Sequence, residues 1–246
     1  MPKYEKGDWV RKKSSHQVGV VTGHAGRMTR VRWFGAKANT ETVGTVMLNE
    51  SKPRALVLEG YLDGAAHSVR SSEPVLRKWL DMARIDLAYA RVNILDDLPV
   101  IANSINKKQP PFVHIICHGD YDRKQQPCIW FRSGSGSGVK ANLLDEKSQF
   151  IFSSFKGLPI LFSTCLIGKY EKPMRHFRKK CKLGPIASYT REVDDDEATL
   201  FELLVYHNVF NRGLRFEAAV SKAKDACKTI GIRGAQGKAQ SFVRCF

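Results

Sequence analysis

Two stretches decide the fold: "FVHIICHGD", Phe112 to Asp120, and "LPILFSTCLIG", Leu158 to Gly168. Each opens on an unbroken apolar run of the kind that forms a strand buried on both faces, which is typical of parallel sheets. Each also delivers a reactive side chain where that run ends, His118 in the first and Cys165 in the second.

Outward from these runs, strands alternate with helices. "RALVLEGYL" and "YARVNIL" read as strands, and "EPVLRKWLDMARI" and "DDLPVIANSINKK" read as helices between them and "FVHIICHG". After "CIWF" in a hairpin come the Ser-Gly loop 133–138, a helix near Leu143 to Ser148, and "PILFSTCL" as a fourth buried strand. "PMRHFRKKC" follows as a basic helix and "GPIASYT" as a fifth strand. The helices "DDEATLFELLVYHNVFNRG" and "RFEAAVSKAKDACKT" are expected to close the chain. Strand-helix alternation implies an α/β fold with a mainly parallel sheet flanked by helices on both faces. Ligand chemistry in such sheets sits outside the carboxyl ends of the strands, where His118 and Cys165 both fall.

A cysteine nucleophile acts as its thiolate, and a histidine within hydrogen-bond reach can take the proton. Gly119 can present its backbone N–H with no side chain in the way, so Gly119 and Cys165 together offer two oxyanion donors. The competing reading is a core histidine and a core cysteine that happen to end two strands. A metal site from His114, Cys117, His118 and Cys128 is disfavoured, because side chains alternate along a strand and Cys117 should point away from both histidines. No metal or other cofactor is expected.

Residues 1–50 have a different rhythm. "DWVRK", "VGVVTG", "MTRVRWFG" and "TETVGTVML" are short alternating stretches separated by turns, which reads as a small all-β barrel. Arg11, Lys12, Lys13, Arg27, Arg30 and Arg32 are interleaved there with Trp9, Trp33 and Phe34. They make either a surface for nucleic acid or a peptide, or a solvated basic rim around an aromatic core. The polar segment Asn49 to Arg54 marks the boundary with a second domain over 54–246.

The whole chain has 246 residues, with 40 Lys+Arg against 24 Asp+Glu and a formal charge of +16. That excess favours a polyanionic partner without choosing one. No run reaches the roughly 18 apolar residues of a membrane span, and "MPKYEKGDWVRKK" lacks the apolar core of a signal peptide. The expectation is a cytoplasmic protein that does not insert in membranes. Its six cysteines lack the paired spacing of a zinc site and are too sparse for a disulfide framework.

The ordered set of His118-Gly119, Ser163-Thr164-Cys165 with Gly168, and then "IASYTREVDDDEA" resembles the caspase-like cysteine peptidases, most of all the CHAT branch related to separases. The first domain resembles SH3-like barrels of the Tudor or KOW kind. The peptidase resemblance spans about residues 54 to 230. It implies a cysteine endopeptidase acting through an acyl-enzyme, regulated in the cell and, in bacterial relatives, serving antiviral defence or programmed death. The barrel would then be a docking or sensor module for a nucleic-acid or protein activator. The chain departs from the CHAT pattern at Leu166, where a glutamate is common, and in the basic segment Lys169 to Lys182.

The resemblance further implies a substrate pocket lined by Ser163, Ser188, Tyr189, Asp194, Asp195 and Asp196. The acidic run would pair with a basic substrate residue, or else serve only to start the following helix. Arg191 is the candidate for an aspartate-binding pocket instead. Asp120 is either a helper of His118 or an ordinary loop carboxylate. A non-catalytic binding module on the same scaffold is the alternative function.

Overall fold

The computed structural model describes residues 3–15, 17–34, 39–60, 73–105, 110–132, 138–230, 232 and 242–246. The Ser-Gly loop, apart from Gly138, lies outside them.

The first fifty residues form a five-stranded antiparallel sheet: β1 Trp9–Lys12, β2 Val18–Ala25, β3 Met28–Trp33, β4 Thr40–Gly44 and, after a 3₁₀ turn, β5 Leu48–Glu50. The strand order is β4-β3-β2-β1-β5. Tyr4, Val10, Val21, Val31, Trp33, Val43 and Leu48 pack against one another on its inner face. Its aromatics are therefore structural: Trp9, Trp33 and Phe34 are 7%, 1% and 6% exposed, which removes them from any binding surface. β5 also carries Asn49 and Glu50, so the polar boundary begins later than the sequence suggests.

The second sheet is mixed. Its strands are β6 Arg54–Glu59, β7 Asp86–Arg91 and β8 Val113–Ile116; later in the chain come β12 Ile160–Ser163, β13 Ile186–Tyr189 and β14 Val243–Cys245. The order is β14-β13-β12-β8-β6-β7, with β14 antiparallel to β13 and the other neighbours parallel. The chain steps outward from β6 to β7 and then returns to the other side of β6 with β8, so the winding reverses there. Helices α1 Glu73–Met82 and α2 Asp97–Ile105 make these two crossovers. Three expectations fail locally. β7 begins three residues before and ends four residues before "YARVNIL", whose apolar end instead leads into α2. β9 Gly119–Tyr121 and β11 Gly138–Asn142 flank β10 Pro127–Arg132 in a small antiparallel sheet. The chain ends in β14 rather than in a helix.

Two cores cover the mixed sheet. One takes α2, α3 Glu146–Phe152 and α4 Glu171–Cys181 through Leu98, Phe152, Met174 and Phe177. The other takes α1, α5 Asp195–Tyr206 and α6 Phe216–Thr229 through Leu80, Phe201, Val205 and Val220. That second core continues into the N-terminal sheet through Trp9, Val18, Val20 and Phe34. A π-helical turn, His207–Asn211, extends α5 toward it. Trp9 stacks on Phe34 with centroids 5.1 Å apart and donates its Nε1–H to the Phe210 carbonyl at 3.1 Å. Arg32 donates to the Gly213 carbonyl. No helix among the described residues is long and apolar enough to cross a membrane.

Trp9 is thus the anchor between the two sheets. Replacing it with alanine should cost about 3–5 kcal/mol in chemical denaturation. Trp9→Phe keeps a ring against Phe34 but loses the hydrogen bond and part of the indole's packing, so it should cost less than alanine does.

Candidate active site

β8 and β12 are adjacent and parallel, with Ile116 opposite Ser163, so the loops that leave them emerge side by side. The first carries His118 and Gly119, the second Thr164 and Cys165. A Cβ added to Gly119 would lie 2.4 Å from the Cys165 carbonyl oxygen and 3.0 Å from Thr164 Cβ. Only glycine lets the two loops close to this distance.

The turn after Cys165 is sharp. Leu166 takes a left-handed conformation, φ 66°, uncommon and strained for a residue with a branched side chain. It is held on several sides. The N–H groups of Leu166 and Gly168 bond to the Arg191 and Tyr189 carbonyls at 3.3 and 2.8 Å. The Tyr121 hydroxyl lies 2.8 and 2.7 Å from the Leu166 and Ile167 carbonyls and accepts the Tyr170 N–H at 3.2 Å. Burial pushes the Tyr121 phenol up to about 12, so it stays a donor. Gly168 packs directly on the Ser188 and Tyr189 carbonyls, where a Cβ would sit at 2.7 and 2.8 Å.

A pocket of about 300 Å³ opens at these strand ends. His118, Ser163, Cys165, Tyr189 and Asp195 line it, joined by Val75, Val193, Thr199 and Glu202. Of the residues expected to line it, Ser188, Asp194 and Asp196 do not. Ser188 alternates with Tyr189 along β13 and turns its buried, unpartnered hydroxyl away from the pocket. Asp194 occupies the position before α5, and Asp196 is exposed in its first turn. The acidic run therefore divides between starting a helix and facing the pocket. Arg191 is not a lining residue; it pairs with Glu197 at 3.0 Å. Asp120 pairs with Lys140 at 2.8 Å.

Glu202 had no sequence signal, since a glutamate within an amphipathic helix ordinarily faces water. Here it is 2% exposed. Its Oε1 accepts the Tyr189 hydroxyl at 2.9 Å, and its Oε2 lies 3.4 Å from His114 Nε2, within ion-pair range though outside hydrogen-bond geometry. His114 Nδ1 is 3.0 Å from the Tyr206 hydroxyl. Cys117 faces the opposite core, beside Gly60.

The Cys165 thiol is half-buried and points at the Val193 carbonyl, 4.0 Å away. Burial pushes its pKa up and the nearby carboxylates of Glu192 and Asp195 add to the rise, opposed by the Val193 contact and Arg191. The pocket thus holds a protonated thiol beside negative charge. No protein-family model matches the chain, and no curated protein does.

Removing one carboxylate makes the thiolate easier to form. Alkylation of Cys165 by iodoacetamide, followed by mass spectrometry across a pH series, should therefore start at lower pH in Asp195→Asn than in the wild type. An unchanged or higher onset would contradict this electrostatic assignment.

Proposed function

We propose that the protein is a caspase-like cysteine endopeptidase of the CHAT kind, a regulated cytoplasmic effector that cleaves after a basic residue. The observation that carries the reading is that one pocket at the carboxyl ends of two adjacent parallel strands is lined by both Cys165 and His118, with Gly119 packed against the Cys165 backbone.

In this reading the Cys165 sulfur attacks the scissile carbonyl while its proton passes to His118. The N–H groups of Gly119 and Cys165 hold the oxyanion. Collapse of the tetrahedral adduct breaks the C–N bond, His118 returns the proton to the leaving amine, and a thioester remains. Water then attacks the thioester and releases the acid and the thiol. No cofactor takes part.

Substrate choice follows from the pocket's charge. Asp195 and Glu202 are its carboxylates, and no Lys or Arg lines it among the described residues. An arginine or lysine stem can lie along Val75, Val193 and Ala198 with its cation at the acidic end. Burial chiefly keeps the Cys165 thiol protonated, and the same cation offsets the carboxylates of Glu192 and Asp195 that add to it, so the fitting substrate also favours its own nucleophile.

The N-terminal sheet, read as an SH3-like module over 1–50, is the docking site for an activator. A groove lined by Lys3, Lys13, His24 and Arg27 supports this. Lys12 and Arg32 are committed elsewhere, to Glu41 and to Gly213. The activator is an acidic protein or a nucleic acid.

Hydrolysis of peptide libraries tests the reading. Arginyl and lysyl substrates should be cleaved in preference to aspartyl ones. Cys165→Ala and His118→Ala should each lower kcat/KM by about 10³-fold or more, and Asp195→Asn should raise KM for arginyl peptides. Cleavage that survives in both alanine variants would overturn the assignment.

A further inference from the structure

The proposed peptidase chemistry leaves a dense cluster of positive charge unused. Residues 169–182 contain seven Lys or Arg and one Glu, a net +6 of the chain's +16 within fourteen positions. α4 buries Met174, Phe177 and Cys181 completely. Positions three and four apart on its opposite side are Lys172, Arg175, His176, Lys179 and Lys180, all exposed.

Some of this charge is already committed. Arg175 pairs with Glu171 at 2.6 Å, and Arg178 donates to the Gly184 carbonyl at 3.0 Å. Lys172, Lys179, Lys180 and Lys182 are exposed without an acidic partner among the described residues.

Helix stability explains only one end of the stripe. Lys179 and Lys180 lie in the last turn of α4, where cations complement the negative end of the helix dipole. Lys172 lies in the first turn and Lys169 just before it, where the same dipole opposes them. From Lys172 to Lys180 the helix rises about 12 Å, close to the axial rise of three to four phosphates on one duplex strand.

We infer that the solvent face of α4 binds the phosphate backbone of double-stranded nucleic acid without reading its sequence. Lysines on a convex helix face suit phosphate contacts, and the stripe has no Phe, Tyr, Trp, Asn or Gln with which to stack on bases or read their edges. The tryptophans of the N-terminal sheet, which could have gripped a single strand, are buried. A lipid surface fits less well, because the apolar side of α4 is wholly used in the core and none is left to insert.

Fluorescence anisotropy of a short labelled duplex, titrated with the full chain over a range of salt, tests this. Changing Lys172, Lys179, Lys180 and Lys182 together to glutamine should weaken binding about tenfold or more and flatten the log Kd against log salt slope by about 3 to 4. Lys172→Gln alone should flatten it by about 1 without lowering the thermal midpoint, a combination that a merely structural lysine would not give. A scrambled duplex should bind equally, and Cys165→Ala should bind as the wild type does, so the outcome is independent of peptidase activity. The inference is overturned if the glutamine variants bind like the wild type. It is overturned equally if the loss appears only in Lys13→Gln/Arg27→Gln, if single strands bind more tightly than duplex, or if phosphatidylserine vesicles take up the chain and duplex does not compete.

Discussion

A buried carboxylate has to be partnered, and in this protein the partnering of Glu202 sets the positions of everything around it. Its partners come from two strands of the sheet, Tyr189 on β13 and His114 on β8, while Tyr206, one turn along the same helix, meets His114 from the other side. Burial, reinforced by Glu202, holds the phenols of Tyr189 and Tyr206 well above their ordinary range, so both remain protonated. α5 is thereby fixed across β8 and β13. Its acidic first turn lies over Cys165, and its π-helical extension meets the N-terminal sheet.

The N-terminal sheet is consequently no loosely tethered appendage. Tyr206 stacks on Phe210 at 5.8 Å, Phe210 lies 5.6 Å from Trp9, and Trp9 stacks on Phe34. A continuous run of packed rings connects the helix that floors the pocket with the sheet that carries the basic groove. That continuity gives a physical basis for an activator bound on the sheet to affect the site.

Much of this was legible in the sequence because strong local signals agreed with the global fold. The apolar runs ending in His118 and Cys165 are buried strands, and their adjacency follows from strand-helix alternation. What escaped had weak or misleading local signals. β9 is Gly-Asp-Tyr and β14 Val-Arg-Cys, three residues each, too short for periodicity and created by their neighbours. β7, a partly exposed edge strand, has only the short run Leu87 to Ala90 between Asp86 and Arg91, with no β-branched residue, so the adjacent "VNIL" drew the expected strand toward it. Glu202 could not be found because its partners lie 13 and 88 positions away and only the tertiary fold brings them to it. The same holds for Tyr121, which looks like an ordinary loop tyrosine and yet pins the turn after Cys165.

The central claim is that the ends of β8 and β12 make one reactive site facing a negatively charged pocket. Intact-mass kinetics with peptidyl acyloxymethyl ketones address it directly. The account predicts one adduct per chain, on Cys165, formed about tenfold or more faster by an arginyl than by an aspartyl probe, in keeping with charge-assisted recognition. Equal rates for the two probes, or adducts spread over the other cysteines, would contradict it.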